Sequence, residues 1–253
     1  MKKFGLNAVG IRRALNRCGW DLHRLNIASD ISLRLLRALE YSGVSLVFDV
    51  GANVGQFALM LRSRGFTGDI VSFEPLSAAH DVLQKAAISD SRWHIYPRVA
   101  IGNSDGEVQI NISQNSVSSS ILPMLERHLS AAESSGYVAH ETVPIARLDA
   151  LVPVYAPPET GIFVKIDTQG YEWQVLDGAP ETLRRAKGVL IELSLVPLYE
   201  GQRLWREIVD RLEAEGFVLW ALQNGFTDTK NGRSLQVDAI FLRSGDHQDD
   251  VVG

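Results

Sequence analysis

Apolar runs at 45–50, 69–74, 94–101, 106–112, 162–167, 188–194, 217–223 and 235–243 have the length and β-branched content of strands. The segments 53–64, 76–88, 171–186 and 202–215 instead carry apolar residues at helical spacing, as in Leu204, Ile208, Val209 and Leu212. Gly65, Gly188 and Gly216 are expected to stop three of these helices. Strands that alternate with helices build an α/β fold, a mainly parallel sheet covered on both faces. Residues 224–232 are too short for a crossover helix, so the last two strands are expected to pair antiparallel.

The pattern breaks at 113–143, read as a loop insertion: the serine-rich Asn115-Ser116-Val117-Ser118-Ser119-Ser120 precedes a short helix through Met124 and His128. Residues 1–44 read as an N-terminal helical segment, 45–243 as one domain and 244–253 as a polar, disordered tail. No internal repeat is visible.

Composition narrows the class. With 253 residues and 45% hydrophobic content, the chain is large enough for one core, because a domain of this size buries about 70–75% of its unfolded surface. The single cysteine, Cys18, makes no internal disulfide, and the expected compartment is the cytosol. Arg12 and Arg13 interrupt the first apolar stretch too early for a signal-peptide core, and no apolar run reaches the roughly 18 residues of a membrane span. Net charge is −5, yet residues 1–37 hold eight Lys/Arg and two Asp, which leaves −11 on the rest. An acidic body without an aromatic-basic motif argues against nucleic acid as a partner. The basic segment, with Lys2, Lys3, Arg12, Arg13, Arg17 and Arg24 among apolar residues, is read as a packed amphipathic helix or a peripheral contact with anionic lipid.

The most informative stretch is VFDVGANVGQF at 47–57, followed by SFEP at 72–75. It reads as a strand, a glycine turn, a helix and a second strand tipped with a carboxylate. Glycines let backbone approach a ligand closely, and a helix that opens at the turn points free N–H groups into the crevice. Glu74 then stands where a carboxylate accepts two hydroxyls of a ribose. The spacing Asp49-x-Gly51-x-Asn53-x-Gly55 lacks the G-x-G-x-x-G of dinucleotide sites and suits S-adenosylmethionine better than NAD. A nicotinamide-dependent oxidoreductase is the alternative on such a sheet.

Two further acids end apolar runs: Asp167 after Ile162-Phe163-Val164-Lys165-Ile166, and Glu192 within Val189-Leu190-Ile191-Glu192-Leu193. Ligands of open parallel sheets bind outside the carboxyl ends of strands, so both acids are expected in the crevice with Gly51 and Glu74. A strand acid among apolar neighbours is costly unless paired or bound to something.

Taken together, VFDVGANVGQFA at 47–58, SFEP at 72–75, RVAIGNSDGEV at 98–108, NSVSSSIL at 115–122, RLDAL at 147–151, VKIDTQGYEWQVLDGA at 164–179 and IELS at 191–194 resemble the FkbM family of S-adenosylmethionine-dependent methyltransferases. One departure is Gln169, where many relatives resemble KIDVEG with a carboxylate. The resemblance implies a class I methyltransferase, Rossmann-like, with seven strands ordered 3-2-1-4-5-7-6 and strand 7 antiparallel. It also implies methyl transfer to a hydroxyl of a sugar or natural product, such as a glycolipid, polysaccharide or polyketide. On that frame Glu74 holds the ribose, the turn of Gly51, Ala52, Asn53 and Gly55 holds the methionine moiety, Ala100 and Ile101 border adenine, and Asp49 orients the turn or the cofactor amino group.

A sugar hydroxyl must lose its proton near the transition state. One device is a general base, for which His128 is chosen on its place after the serine-rich loop and its unperturbed pKa of about 6.5. The other is a divalent cation, Mg2+, held by Asp167 and Glu192. Asp167 also belongs among the cofactor contacts. His80, His94 and His140 read as ordinary polar residues, and Tyr171, Trp173, Trp205 and Trp220 as core. Tyr199, in a loop after the Glu192 strand, is the aromatic expected to face an acceptor. A non-catalytic cofactor binder is a third reading, prompted by Gln169.

Overall fold

The computed structural model describes residues 8–20, 26–27 and 30–245. Its strands are β1 (Leu46–Val50), β2 (Asp69–Phe73), β3 (Trp93–Ile95), β4 (Ala100–Ile101), β5 (Gly106–Ser113), β6 (Tyr137–Ala146), β7 (Ile162–Ile166), β8 (Ala186–Ser194), β9 (Phe217–Asn224), β10 (Thr227–Asp228), β11 (Arg233–Ser234) and β12 (Gln236–Arg243). The helices are α1 (Ala8–Arg17), α2 (Ile31–Tyr41), α3 (Gln56–Ser63), α4 (Ser77–Ala87), α5 (Glu126–Ala131), α6 (Leu148–Leu151), α7 (Glu172–Asp177), α8 (Pro180–Arg185) and α9 (Trp205–Ala214).

Strands β1 and β7 are buried along their whole length, so they need apolar side chains on both faces and take the centre of the sheet. The seven-stranded sheet runs β3-β2-β1-β7-β8-β12-β9. Only β12 opposes its neighbours, β8 and β9. Numbered within this sheet alone, the order is the expected 3-2-1-4-5-7-6; the chain numbers differ because β4–β6 and β10–β11 lie outside it. Val47, Ile70, Phe163, Leu190 and Ile240 pack on one side under α2, α3 and α4. Phe48, Val71, Val164 and Ile191 pack on the other, under α6, α7, α8 and α9.

Three details depart from the sequence pattern. The run 94–101 splits around Pro97, which lacks the N–H that a ladder needs, and its second half becomes β4 of a separate three-stranded sheet ordered β4-β6-β5. The expected helix 171–186 divides into α7 and α8 at Gly178, with Pro180 opening the second. Gly188 stops no helix: it lies inside β8, paired with Phe163 and Leu242.

The segment 113–143 is more regular than a loop insertion. It holds α5, and its last residues, 137–143, are strand β6, paired antiparallel with β5. The basic residues Lys2, Lys3 and Arg24, His23, and 246–253 of the expected tail lie outside the described residues. Among the described residues no helix is long and apolar enough to cross a membrane.

Candidate active site

Parallel register places Ser72, Asp49, Lys165 and Leu190 side by side across β2, β1, β7 and β8. This row is the floor of the site. Lys165 Nζ lies 3.2 Å from Asp49 Oδ1 and 3.6 Å from Asp167 Oδ2, and donates to the carbonyls of Gly51 (2.8 Å) and Val50 (3.3 Å). Ser72 Oγ donates to Asp49 Oδ2 at 3.2 Å. Burial pushes Asp49 up against the pull of Lys165. Burial alone lowers Lys165, but Asp49 and Asp167 outweigh it and hold the ammonium charged. Asp49 therefore holds the lysine that braces the turn from below.

Above that row the chain turns at Gly51 with φ +76°, and a Cβ there would come within 1.9 Å of the Asp167 carbonyl oxygen, so only glycine fits. Gly51 and Ala52 N–H groups both reach the Phe73 carbonyl, which pins the turn to the end of β2. Asn53 takes φ +48°, which asparagine tolerates. Its N–H donates to Glu74 Oε2 at 2.8 Å, and the Leu76 N–H donates to Glu74 Oε1 at 2.9 Å. Burial raises Glu74 to about 7 against the pull of those two donors.

These groups line an open crevice at the carboxyl ends of the strands, about 760 Å³ when the solvent at its mouth is counted. Val99, Ala100 and Ile101 form one wall, Gly51, Asn53 and Glu74 another, and Ser116, Val117, Ser119, Ser120 and Ile121 lie across it. The buried Oδ1 of Asn53 has no protein partner, and Glu74 keeps a second lone pair on each oxygen for hydroxyl donors. An adenosine ribose at Glu74, adenine at Ala100 and Ile101, and a methionine moiety at the turn fit this donor and acceptor set. S-adenosylmethionine is the methyl donor these residues suit.

At the rim, Gln169 with φ +53° ties the acids together. Its Nε2 donates to Asp167 Oδ1 and to Glu192 Oε2, both at 2.9 Å, and its Oε1 accepts from the Tyr199 hydroxyl at 2.8 Å. Gln236 Nε2 donates to Glu192 Oε2 at 2.6 Å. Burial, then repulsion from Asp167 and Glu172, pushes Glu192 well above the usual carboxylate range. Glu172 accepts from the N–H groups of Thr168 and Gly170, both at 3.0 Å, and burial raises it to about 7.

This arrangement corrects three expectations. The Asp167 and Glu192 pair does not suit Mg2+: the space between them presents amide N–H groups, which repel a cation, and among the described residues no group of three or more acid, His or Cys side chains is placed to hold a metal. His128 does not face the crevice. Its ring is 2% exposed between Tyr199 and Phe226, at centroid distances of 5.2 and 5.1 Å, and burial lowers it to about 4. Tyr199 is 1% exposed and lies behind Gln169, so it offers no face to an acceptor.

The remaining residues hold ordinary places. His80 meets the Tyr96 carbonyl at 2.8 Å, and His94 and His140 are exposed in β3 and β6. Trp173 lies under Arg203 and Arg211, while Tyr171 reaches the crevice wall. Lys165, Gln236 and Asp238 were passed over in the sequence. A lysine at the fourth position of a fully apolar strand, opposite Asp49, was the available signal for the first.

The sheet order and the glycine turn between β1 and α3 define a class I methyltransferase. A family model described as "Methyltransferase FkbM domain" matches residues 49–219, and the chain belongs to that family. It is 25% identical to "Methyltransferase sdnD" of Sordaria araneosa over 68% of this chain and 73% of that one. It is 24% identical to "Hexuronic acid methyltransferase AglP" of Haloferax volcanii over 81% of each. Among solved structures, a TehB-like SAM-dependent methyltransferase from Corynebacterium glutamicum superposes with TM-score 0.40 at 15% identity, covering 94% of this chain and 96% of that one.

Proposed function

We propose that this methyltransferase moves the methyl group to a hydroxyl oxygen, on a sugar unit of a glycolipid, polysaccharide or polyketide-type product. The observation that supports it is Asp167: a half-exposed carboxylate at the end of β7, beside the turn, with one oxygen fixed by Gln169 and neighbours that keep it in place. S-adenosylmethionine, when bound, supplies an electrophilic methyl group on a positively charged sulfur.

The residues of the chain do the rest. Glu74 and the 51–55 turn fix the donor, and the acidic rim of Asp167 and Glu74 favours its positive charge. Asp167 accepts the proton that the acceptor hydroxyl loses as its oxygen takes the methyl group. Glu192, pushed well above the usual carboxylate range by burial and neighbouring acids and with its Oε2 already taken by the amides of Gln169 and Gln236, serves to orient Asp167 through Gln169. The name of the Haloferax relative, a hexuronic acid methyltransferase, supports a sugar as the acceptor class and leaves the charge of this chain's acceptor to its own pocket.

Labelled S-adenosylmethionine offered with a panel of glycosides, followed by mass spectrometry of the product, tests this reading. Label on a hydroxyl oxygen, lost in Asp167→Asn, is the expected result; label on nitrogen or carbon, or none with any acceptor, contradicts it.

We also place the reaction in the cytosol, on the single cysteine, and infer that the exposed Arg12, Arg13 and Arg17 of α1 touch anionic lipid. Flotation with phosphatidylglycerol vesicles that weakens with salt supports the contact, and absence of binding at low salt opposes it.

A further inference from the structure

Behind Asp167, on the α2 and α3 side of the sheet, lies a second cavity of about 330 Å³. It meets the cofactor crevice at Gln56 and Asp167, which line both. We propose that this cavity is the acceptor pocket, that it admits an uncharged polyhydroxylated ring, and that Asp238 selects that ring. The proposal rests on the methyl-transfer reading and deepens it.

The position follows from the sheet. Asp238 of β12 stands opposite Glu192 of β8 and Gln223 of β9, and residues directly opposite in antiparallel strands share a face. Asp238, Gln223 and Asp167 therefore make one polar side of the cavity. The opposite wall is apolar, with Ile31 and Leu35 from α2 and Phe57 and Met60 from α3. A pyranose has matching surfaces: hydroxyls at its edge and C–H groups on its faces. Among the described residues no side chain hydrogen-bonds the Asp238 carboxylate, so both of its oxygens remain to accept hydroxyl protons.

Charge decides against anionic acceptors. Among the described residues the one cation lining the cavity is Lys165, which already donates to the Val50 and Gly51 carbonyls and faces Asp49. A carboxylate or phosphate entering here meets Asp167 and Asp238, while the Lys165 charge is already matched by Asp49 at 3.2 Å and Asp167 at 3.6 Å, and burial makes that repulsion costly. Burial and Asp167 raise Asp238 to about 6, in keeping with acids that already repel one another.

Saturation-transfer NMR tests the pocket on the full chain with S-adenosylhomocysteine present, using methyl pyranosides of neutral hexoses and methyl glucuronoside as probes. Calorimetry with S-adenosylhomocysteine reads the cofactor crevice separately. The expected result is transfer to at least one neutral pyranoside and none to the glucuronoside. Met60→Trp and Gln223→Trp, which fill the cavity from opposite walls, abolish that transfer and change S-adenosylhomocysteine affinity by less than about twofold, since they do not line its crevice. Asp238→Asn weakens the neutral pyranoside by about fivefold or more through loss of a charged hydrogen-bond acceptor. Transfer that survives both tryptophans, absence of transfer to every neutral pyranoside, or equal transfer to the glucuronoside overturns the proposal. Failure of the unaltered protein to bind S-adenosylhomocysteine overturns the methyl-transfer reading instead.

Discussion

Lys165 Nζ sits 3.2 Å from Asp49 Oδ1 beneath the glycine turn, with both side chains almost wholly shielded from water. Such a pair adds little net stability when intact, yet removing one partner leaves an uncompensated buried charge. Lys165→Met is expected to cost about 3–5 kcal/mol. The paired change Asp49→Asn with Lys165→Met should restore part of that loss. Urea unfolding of the single and double variants measures both; a loss for Lys165→Met no larger than for an exposed lysine contradicts the account.

The Gln169 amide fills the space between Asp167 and Glu192 with N–H groups, so a chelator should leave methyl transfer unchanged. Gln169→Glu removes two donors and adds a third carboxylate, with an expected stability loss of about 1–3 kcal/mol. That variant should gain thermal stability when Mg2+ is added, whereas the natural chain should not. Thermal melts with and without Mg2+ decide it, and activity of the natural chain that falls in chelator and returns with Mg2+ would restore metal assistance.

Glu74 gives the pH dependence. Its folded pKa of about 7 lies above the ordinary 4.5, so its contribution to the stability of the unliganded fold is full below about 4.5 and is lost as pH rises through about 7. Cofactor binding runs the other way, because ribose hydroxyls and a positive sulfur both favour the carboxylate. S-adenosylmethionine affinity is expected to climb as pH rises from 6 to 8, with release of a fraction of a proton near pH 7. Calorimetry in buffers of different ionisation enthalpy counts that proton, and an affinity flat across this range removes the assignment.

His128 packs edge-on against Tyr199 and reaches neither cavity. His128→Phe should therefore keep methyl-transfer rate within about threefold and alter chiefly stability, as a volume-similar buried exchange. A folded variant that binds cofactor yet loses transfer a hundredfold would return the histidine to the base role.

Much of this was legible in the chain. The glycine turn and Glu74 could be placed because their chemistry is local: a strand, a forced positive φ and a strand-end acid lie within 28 residues of one another in VFDVGANVGQF and SFEP. The mainly parallel sheet followed from helix and strand alternation, and its strand order from the family resemblance alone. His128 was misplaced because a loop's direction depends on what it packs against, and nothing near His128 in sequence shows Tyr199 and Phe226 closing around it. Likewise the role of Gln169 comes from three distant partners, Glu192, Tyr199 and Ser120, that meet only in the fold. The metal expectation failed for the same reason, since two strand-end acids look alike whether a cation or an amide lies between them.

The most direct measurement is calorimetric titration of S-adenosylmethionine into the natural protein and into Glu74→Ala. Saturable one-to-one binding by the natural chain, weakened by about 10–100-fold in the variant through loss of charged hydrogen bonds, is the predicted result. Equal affinity in both proteins, or binding of NADH in place of S-adenosylmethionine, would contradict it.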